Sequence, residues 1–116
     1  MKPFSSACIV LAAAAALSAQ AATGSSKVYS GVISETMCGI NHTPMGITPD
    51  PKCIVECVKH GDHVRYALVV DAKTMYTLSD QQTPERFAGQ RVTVRGVLYP
   101  KTNILKVETI ARQEGH

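Results

Sequence analysis

The sequence predicts a mainly β fold, a small five-stranded OB-like barrel with one short α-helix inserted after the first strand. Apolar and polar residues alternate in five short runs, which is the period of a half-buried β-strand. Turn-forming residues separate these runs, and one helical segment with signals at both ends comes early in the chain. Closure into a barrel is favoured because it removes strand edges that a domain this small could not cover.

The predicted strands follow one another through short connections. They cover residues 27–34, 64–71, 74–79, 91–99 and 104–110. A tight turn at residues 71–73 joins the second and third strands into a hairpin, and a turn at residues 100–103 joins the last two. Residues 83–89 form one turn of helix that ends at a glycine, and Gly96 relieves crowding where the fourth strand bends.

The helix is predicted from its two ends. Asp50 is an N-cap residue, and Pro51 occupies the first helical position, where the missing N–H has no cost. Gly61 supplies the C-terminal stop. The helix between them is about ten residues long, which is too short to persist unless it packs against the rest of the domain.

The beginning of the chain has the pattern of a secretory signal peptide. Lys2 supplies a basic head, residues 7–17 form an apolar run too short for a stable membrane anchor, and a small-x-small sequence ends at Ala21. We therefore predict a periplasmic or secreted protein. The predicted divisions are a signal peptide at residues 1–21, a flexible lead-in at 22–27, the OB-like barrel domain at 28–112 and a C-terminal tail at 113–116.

Length and charge exclude several classes of protein. The chain has 116 residues and a formal charge of +3, from 12 Lys and Arg against 9 Asp and Glu. One small domain excludes a multidomain enzyme and a Rossmann-like nucleotide binder, and the near-neutral balance indicates no nucleic-acid partner. The sequence has no nucleophile motif, no phosphate-binding glycine loop and no paired carboxylates. We expect a protein that is not an enzyme and that binds an unknown protein or small ligand.

Cysteine usage points to one candidate site. Cys8 leaves with the predicted leader, and Cys38, Cys53 and Cys57 remain in an oxidising compartment where cysteines normally pair. Three cysteines cannot all pair within one chain. The odd thiol indicates a metal ligand, a reactive sulfur or a bridge to another molecule.

Cys53, Cys57 and His60 share one face of the predicted helix, here called the Cys-Cys-His stripe. At about 100° per residue they fall within an arc of about 60°, stacked over two turns. Ile54 and Val58 mark the core face beside them. We expect the stripe to lie at the boundary between core and solvent, where a ligand site is partly buried and still accessible.

The stripe offers donors that soft or borderline metals prefer. Cys38 or His42, in the loop before the helix, supplies a fourth donor. Four such donors suit tetrahedral zinc, and fewer suit cuprous copper. Met37 and Met45 flank the same loop, and their thioethers favour copper. The predicted metal ligands are Cys38, His42, Cys53, Cys57 and His60, and the predicted metal is zinc or copper.

A disulfide is the alternative interpretation of the same cysteines. Cys53 and Cys57 are one helical turn apart and diverge from disulfide geometry, whereas Cys38 can bond either of them. Such a bridge closes a loop of about 15–19 residues and stabilises the fold by about 3 kcal/mol in the chain-entropy model. The spare cysteine is then a small buried apolar residue, and His60 interacts with the helix dipole. A redox or persulfide role is a third possibility.

The alternative function is a disulfide-stapled scaffold that binds a protein or glycan partner through its barrel face. Arg65, Arg91 and Arg95 project from neighbouring predicted strands, and OB-type barrels use such a face for oligonucleotides or oligosaccharides. Nucleic acid is not expected outside the cytoplasm. A solvated surface also accounts for the three arginines.

Two cysteine-containing segments resemble a known family. Cys38-Gly39 followed by His42, and Cys53 followed by Cys57-Val58-Lys59, are similar to the Cys-Gly-x-x-His and Cys-x-x-x-Cys-Val-Lys pattern of an uncharacterised family of small exported bacterial OB-like barrel proteins. The resemblance extends over the later strands, to about residue 110. It implies an exported OB-like barrel and assigns no activity.

Overall fold

The computed structural model describes Pro3, residues 24–37, Gly39 and residues 50–114 of the chain. The described elements are strand β1 (Lys27–Glu35), helix α1 (Pro51–His60), strands β2 (Tyr66–Asp71) and β3 (Thr74–Leu78), a 3-10 helix (Thr83–Phe87), and strands β4 (Arg91–Tyr99) and β5 (Ile104–Arg112). The predicted mainly β class and the helix after the first strand are confirmed. Strand ends differ from the prediction by two residues at most.

The five strands form a closed ring in the order β1-β2-β3-β5-β4. Neighbouring strands are antiparallel except β3 and β5, which run parallel and pair at two positions, Thr77 with Ile104 and Leu78 with Leu105. β1 is shared between two neighbours, because its first part pairs with β4 and its last part with β2. This ring is consistent with an OB-like fold.

The inside of the ring is the hydrophobic core. Every strand contributes residues whose side chains alternate between the inside and the outside. The inward residues with no exposed surface are Ile33, Leu68, Leu78, Val92, Val94 and Leu105. Gly96 lies at a register shift between β4 and β5, and a side chain there would meet the Lys106 backbone carbonyl. The bend predicted at this glycine is therefore a β-bulge.

One end of the ring, here called the helix end, is covered by α1 and the 3-10 helix. Ile54 of α1 is buried in the core cluster together with Tyr66 at the start of β2. The Gln81 side chain lies alongside this start: its Oε1 accepts from the Tyr66 N–H at 2.8 Å, and its Nε2 donates to the carbonyls of Tyr66 at 3.0 Å and Leu78 at 2.8 Å. Burial raises the pKa of the Tyr66 phenol, and the nearby Glu85 carboxylate adds to the shift.

The opposite end, here called the loop end, carries the β2–β3 turn, the turn at residues 100–103 and the lead-in at residues 24–26. The half-buried rings of Tyr29 and Tyr76 meet there edge to face, with centroids 5.7 Å apart and planes at 79°. Asn103 has a left-handed φ of 59°, and its Nδ2 donates to the Met75 carbonyl at 2.7 Å. The loop end is thus closed by aromatic side chains and turns.

The predicted signal peptide, apart from Pro3, lies outside the described residues, and the predicted domain boundaries stay predictions. Within the part that the structure describes, no helix is both long and apolar enough to cross a membrane.

Candidate functional site

Helix α1 is fixed at both ends by the residues that predict it. The Asp50 carboxylate accepts a hydrogen bond from the Lys52 N–H at 2.9 Å, and Pro51 occupies the first helical position. At the other end, the Gly61 N–H donates to the Cys57 carbonyl at 2.8 Å. The predicted bounds of the helix are confirmed, and the cysteine spacing therefore translates into one helical turn.

Apolar and ionic contacts attach α1 to the ring. Ile54 is buried, and Val55 and Val58 are half-buried against the same core cluster. Lys59 Nζ lies 3.4 Å from Glu85 Oε1 of the 3-10 helix, although both side chains are about half exposed. Such a pair contributes little by itself. Burial of the apolar side chains is what holds the helix in place.

The three residues of the Cys-Cys-His stripe differ in exposure. Cys53 and His60 are exposed, whereas Cys57 is half-buried. No disulfide joins Cys53 to Cys57. Only the middle residue of the stripe therefore lies at the boundary where the sequence placed all three. The cause is Val55, which packs on the core cluster and turns the buried face of the helix away from Cys53 and His60.

His60 has a carboxylate partner on its own helix. His60 Nε2 lies 3.1 Å from Glu56 Oε2, four residues earlier, and the two side chains are 76% and 54% exposed. The contact is ionic when the imidazole is protonated, and it then lies near the helix C-terminus, where a positive charge is favourable. To act as a metal ligand through Nε2, His60 would have to leave Glu56.

The described residues do not complete a metal site. Within residues 24–37, 39 and 50–114, no group of three or more His, Cys, Asp and Glu side chains is arranged to hold a metal ion. Cys38 and His42 lie outside the described residues, and so does Met45. The structure thus brings Cys53, Cys57 and His60 onto one helix. The wider ligand set, and a Cys38 disulfide, stay predictions.

The glycine that follows Cys38 packs closely on the outside of the ring. Gly39 is buried, and a Cβ added there would lie 2.8 Å from Met75 Sδ, 3.3 Å from Val69 Cγ2 and 3.4 Å from Ser34 Oγ. A larger residue at this position would have to push these side chains aside. Gly39 therefore lies directly against the outer face of β1, β2 and β3.

Two buried polar residues end β1, and sequence reasoning missed both. Ser34 has no exposed surface, and its hydroxyl has no hydrogen-bond partner among the residues that the structure describes. Glu35 is 3% exposed, and its Oε2 accepts from the Met37 N–H at 2.6 Å. The Glu35 carboxylate thereby fixes the point where the chain leaves β1. The sequence shows only a Ser-Glu pair at the end of an alternating run. In a half-buried strand one of the two is expected to be exposed, so the burial of both could not be deduced.

The three arginines are divided between two places in the ring, β4 and the start of β2. Arg91 and Arg95 are exposed on β4, opposite Val32 and Val28 of β1. Arg65 precedes β2 and donates its backbone N–H to Thr36 Oγ1 at 3.1 Å. Across residues 24–37, 39 and 50–114, none of the three forms an ion pair.

Comparison with known proteins finds a similarity over part of the chain. No curated protein and no solved structure matches it. Residues 58–113 match the family model described as "Protein of unknown function (DUF5818)". The matched part runs from the last turn of α1 through β5, so it contains His60 but none of the three cysteines, and it does not bear on the cysteine pattern. Residues 58–113 are thus similar to the DUF5818 family model, whose function is unknown.

Proposed function

We propose that this chain is a small exported binding module, without catalytic activity, that holds a soft transition metal ion at the cysteines of α1. The observation that carries the proposal is the pair Cys53 and Cys57. They lie one turn apart on a capped helix, on its accessible side, and no disulfide joins them. Two thiols so placed can direct both sulfurs to one ion.

The donor chemistry favours zinc or cuprous copper. Thiolates select these ions over hard cations, which prefer oxygen ligands. Zinc requires four ligands, and Cys38, His42 and His60 are the candidates that would complete the set. Because Glu56 competes for His60, we favour Cys38 as the third donor. A thioether from Met37 would tilt the preference toward copper.

Metal analysis of the protein tests this proposal. Protein purified from the periplasm without chelators is expected to carry about one equivalent of zinc or copper, and Cys57→Ser is expected to lose it. Thr109→Ser, a change at an exposed position of β5, is the matched control and should retain the metal. Metal-free protein with one intact disulfide would contradict the proposal.

A disulfide-stapled scaffold is the second candidate. It is supported by the exposed guanidinium groups of Arg91 and Arg95, which have no ion-pair partner within the described residues and could meet an anionic partner. Thiol counting after denaturation separates the two functions. One thiol per mature chain supports the scaffold with a Cys38 bridge, and three thiols after metal removal support the metal module.

A further inference from the structure

A groove opens at the loop end, and neither Cys53 nor Cys57 lines it. Its volume is about 270 Å³. The described residues that line it are Gly24, Ser25, Lys27, Tyr29, Leu98 and Pro100. Sites for drug-sized ligands measure about 300–1,000 Å³. A groove of this size therefore fits one ring with its substituents.

Contacts on both sides fix the walls of this groove. On one side, Tyr29 is held by its edge-to-face contact with Tyr76. On the other side, Ser26 Oγ donates to the Glu108 carboxylate, at 2.7 and 3.0 Å from its two oxygens. Gly24 adopts a φ of 155°, and a Cβ there would lie only 3.2 Å from Val97 Cγ1. The lead-in is thereby tied against β4 and β5 and forms a wall of the groove.

The lining combines apolar surface with one positive charge. Leu98, Pro100 and Tyr29 contribute apolar groups to the lining, and Ser25 and Tyr29 carry hydroxyl groups that can form hydrogen bonds. The Lys27 ammonium has no ion-pair partner among the residues that the structure describes. The carboxylate next to the groove, Glu108, already accepts from Ser26. The groove thus presents a lysine ammonium that forms no ion pair with any described residue.

We propose that this groove binds a carboxylate-bearing sugar ring, such as a uronic acid unit of a glycan. The apolar face of the pyranose packs on Leu98, Pro100 and Tyr29, and the carboxylate meets Lys27. The Ser25 and Tyr29 hydroxyls bond to the ring hydroxyls. A neutral sugar leaves the ammonium without a partner, and an aromatic acid leaves the hydroxyl groups without partners.

This site is independent of the proposed metal. It lies at the loop end, whereas α1 covers the helix end, and none of its residues belongs to the Cys-Cys-His stripe. A chain that binds no metal can still bind the sugar, and the reverse also holds. The two proposals are therefore tested separately.

Titration by two-dimensional NMR tests the groove, since chemical shifts detect weak binding. Glucuronate, glucose and benzoate are the probes. We expect glucuronate to shift the amides of Lys27 and Leu98. It should bind about tenfold more tightly than glucose, which lacks the charge-assisted contact, and more tightly than benzoate, which lacks the ring hydroxyls. Equal affinity for glucuronate and glucose, or tighter binding of benzoate, would overturn the proposal. So would shifts that avoid the groove.

Two variants identify the groups responsible. Lys27 is exposed, so Lys27→Gln leaves the core intact. We expect this variant to lower the affinity for glucuronate about tenfold and to leave the affinity for glucose unchanged. Lys106→Gln, the same charge change at an exposed position of β5, is the control and should bind glucuronate normally. If both variants weaken glucuronate binding equally, the effect is net charge, and the assignment to Lys27 is wrong.

Discussion

The two ends of the ring are closed by different types of residue. At the helix end, aliphatic Ile54 is buried and the Gln81 amide satisfies the backbone at the start of β2. At the loop end, half-exposed tyrosines and turns close the ring and leave a groove. Aliphatic burial stabilises without offering contacts to a ligand, whereas tyrosine has an apolar ring and a polar tip. We therefore expect stability to be concentrated at the first end, whereas the second end carries the groove that we propose binds a sugar.

Truncation at the helix end is expected to have the largest effect on stability. Ile54→Ala removes a buried side chain and leaves a cavity under α1, and we expect the free energy of unfolding to fall by about 2–4 kcal/mol. Denaturant titration measures it. Val28→Ala is the control, because Val28 is 55% exposed on β1 and should change the stability by less than about 0.5 kcal/mol. Equal losses of unfolding free energy in Ile54→Ala and Val28→Ala would show that Ile54 does not close the helix end of the ring.

The Gln81 amide comes next in size. Gln81→Leu leaves the N–H and carbonyl of Tyr66 and the carbonyl of Leu78 without this partner, and we expect a loss of about 1–3 kcal/mol. Hydrogen exchange at the Tyr66 amide should accelerate as well. Gln113→Leu, at an exposed position after β5, is the control. An unchanged exchange rate at Tyr66 would mean that water replaces the amide without cost.

The aromatic pair at the loop end is expected to contribute less. Tyr29→Leu abolishes the edge-to-face contact with Tyr76, and we expect a loss of about 1 kcal/mol in the free energy of unfolding. Tyr29→Phe keeps the ring and is expected to retain most of the stability. A loss as large as that of Ile54→Ala would contradict the division between the two ends.

Acid sensitivity gives the smallest effect and compares the ends directly. Burial opposes ionisation of Asp80, but hydrogen bonds from the Thr83 side chain and backbone and from the Gln82 N–H outweigh it and lower its pKa. At the loop end, the Lys73 N–H is the main cause of the lowered pKa of Asp71. For both carboxyls, the unfolded state binds the proton more readily. Their contribution is therefore present above about pH 4, the unfolded value, and is lost as the pH falls through the lower folded values.

Asp80→Asn and Asp71→Asn test this dependence. Each is expected to flatten the fall in stability below about pH 4, with little further change between neutral pH and pH 5. Asp62→Asn is the control, because Asp62 is exposed and lies between α1 and β2, outside the strands. If the fall in stability at low pH is unaltered in both variants, the assigned hydrogen bonds are contradicted.

Local signals predicted more of the fold than of the site. The caps at Asp50 and Gly61 and the alternation along β4 are properties of neighbouring residues, and the structure confirms them. The parallel contact of β3 with β5 could not be predicted from neighbouring residues, because it joins residues distant in sequence. The rotation of α1 depends on how Val55 packs, so the exposure of Cys53 could not be deduced from the helical wheel. The role of Gln81 likewise follows from a tertiary contact that no sequence period encodes.

The short parallel pairing between β3 and β5 makes the ring unequal around its circumference. Two paired positions join these strands, supported by the Thr77 and Ser79 amides, whereas β4 and β5 pair along almost their whole length. Thermal opening should therefore start at this contact and convert the ring into a curled sheet of four antiparallel pairs. In that state Leu78 and Leu105 become accessible to water, so this contact is also where association of partly open molecules would begin.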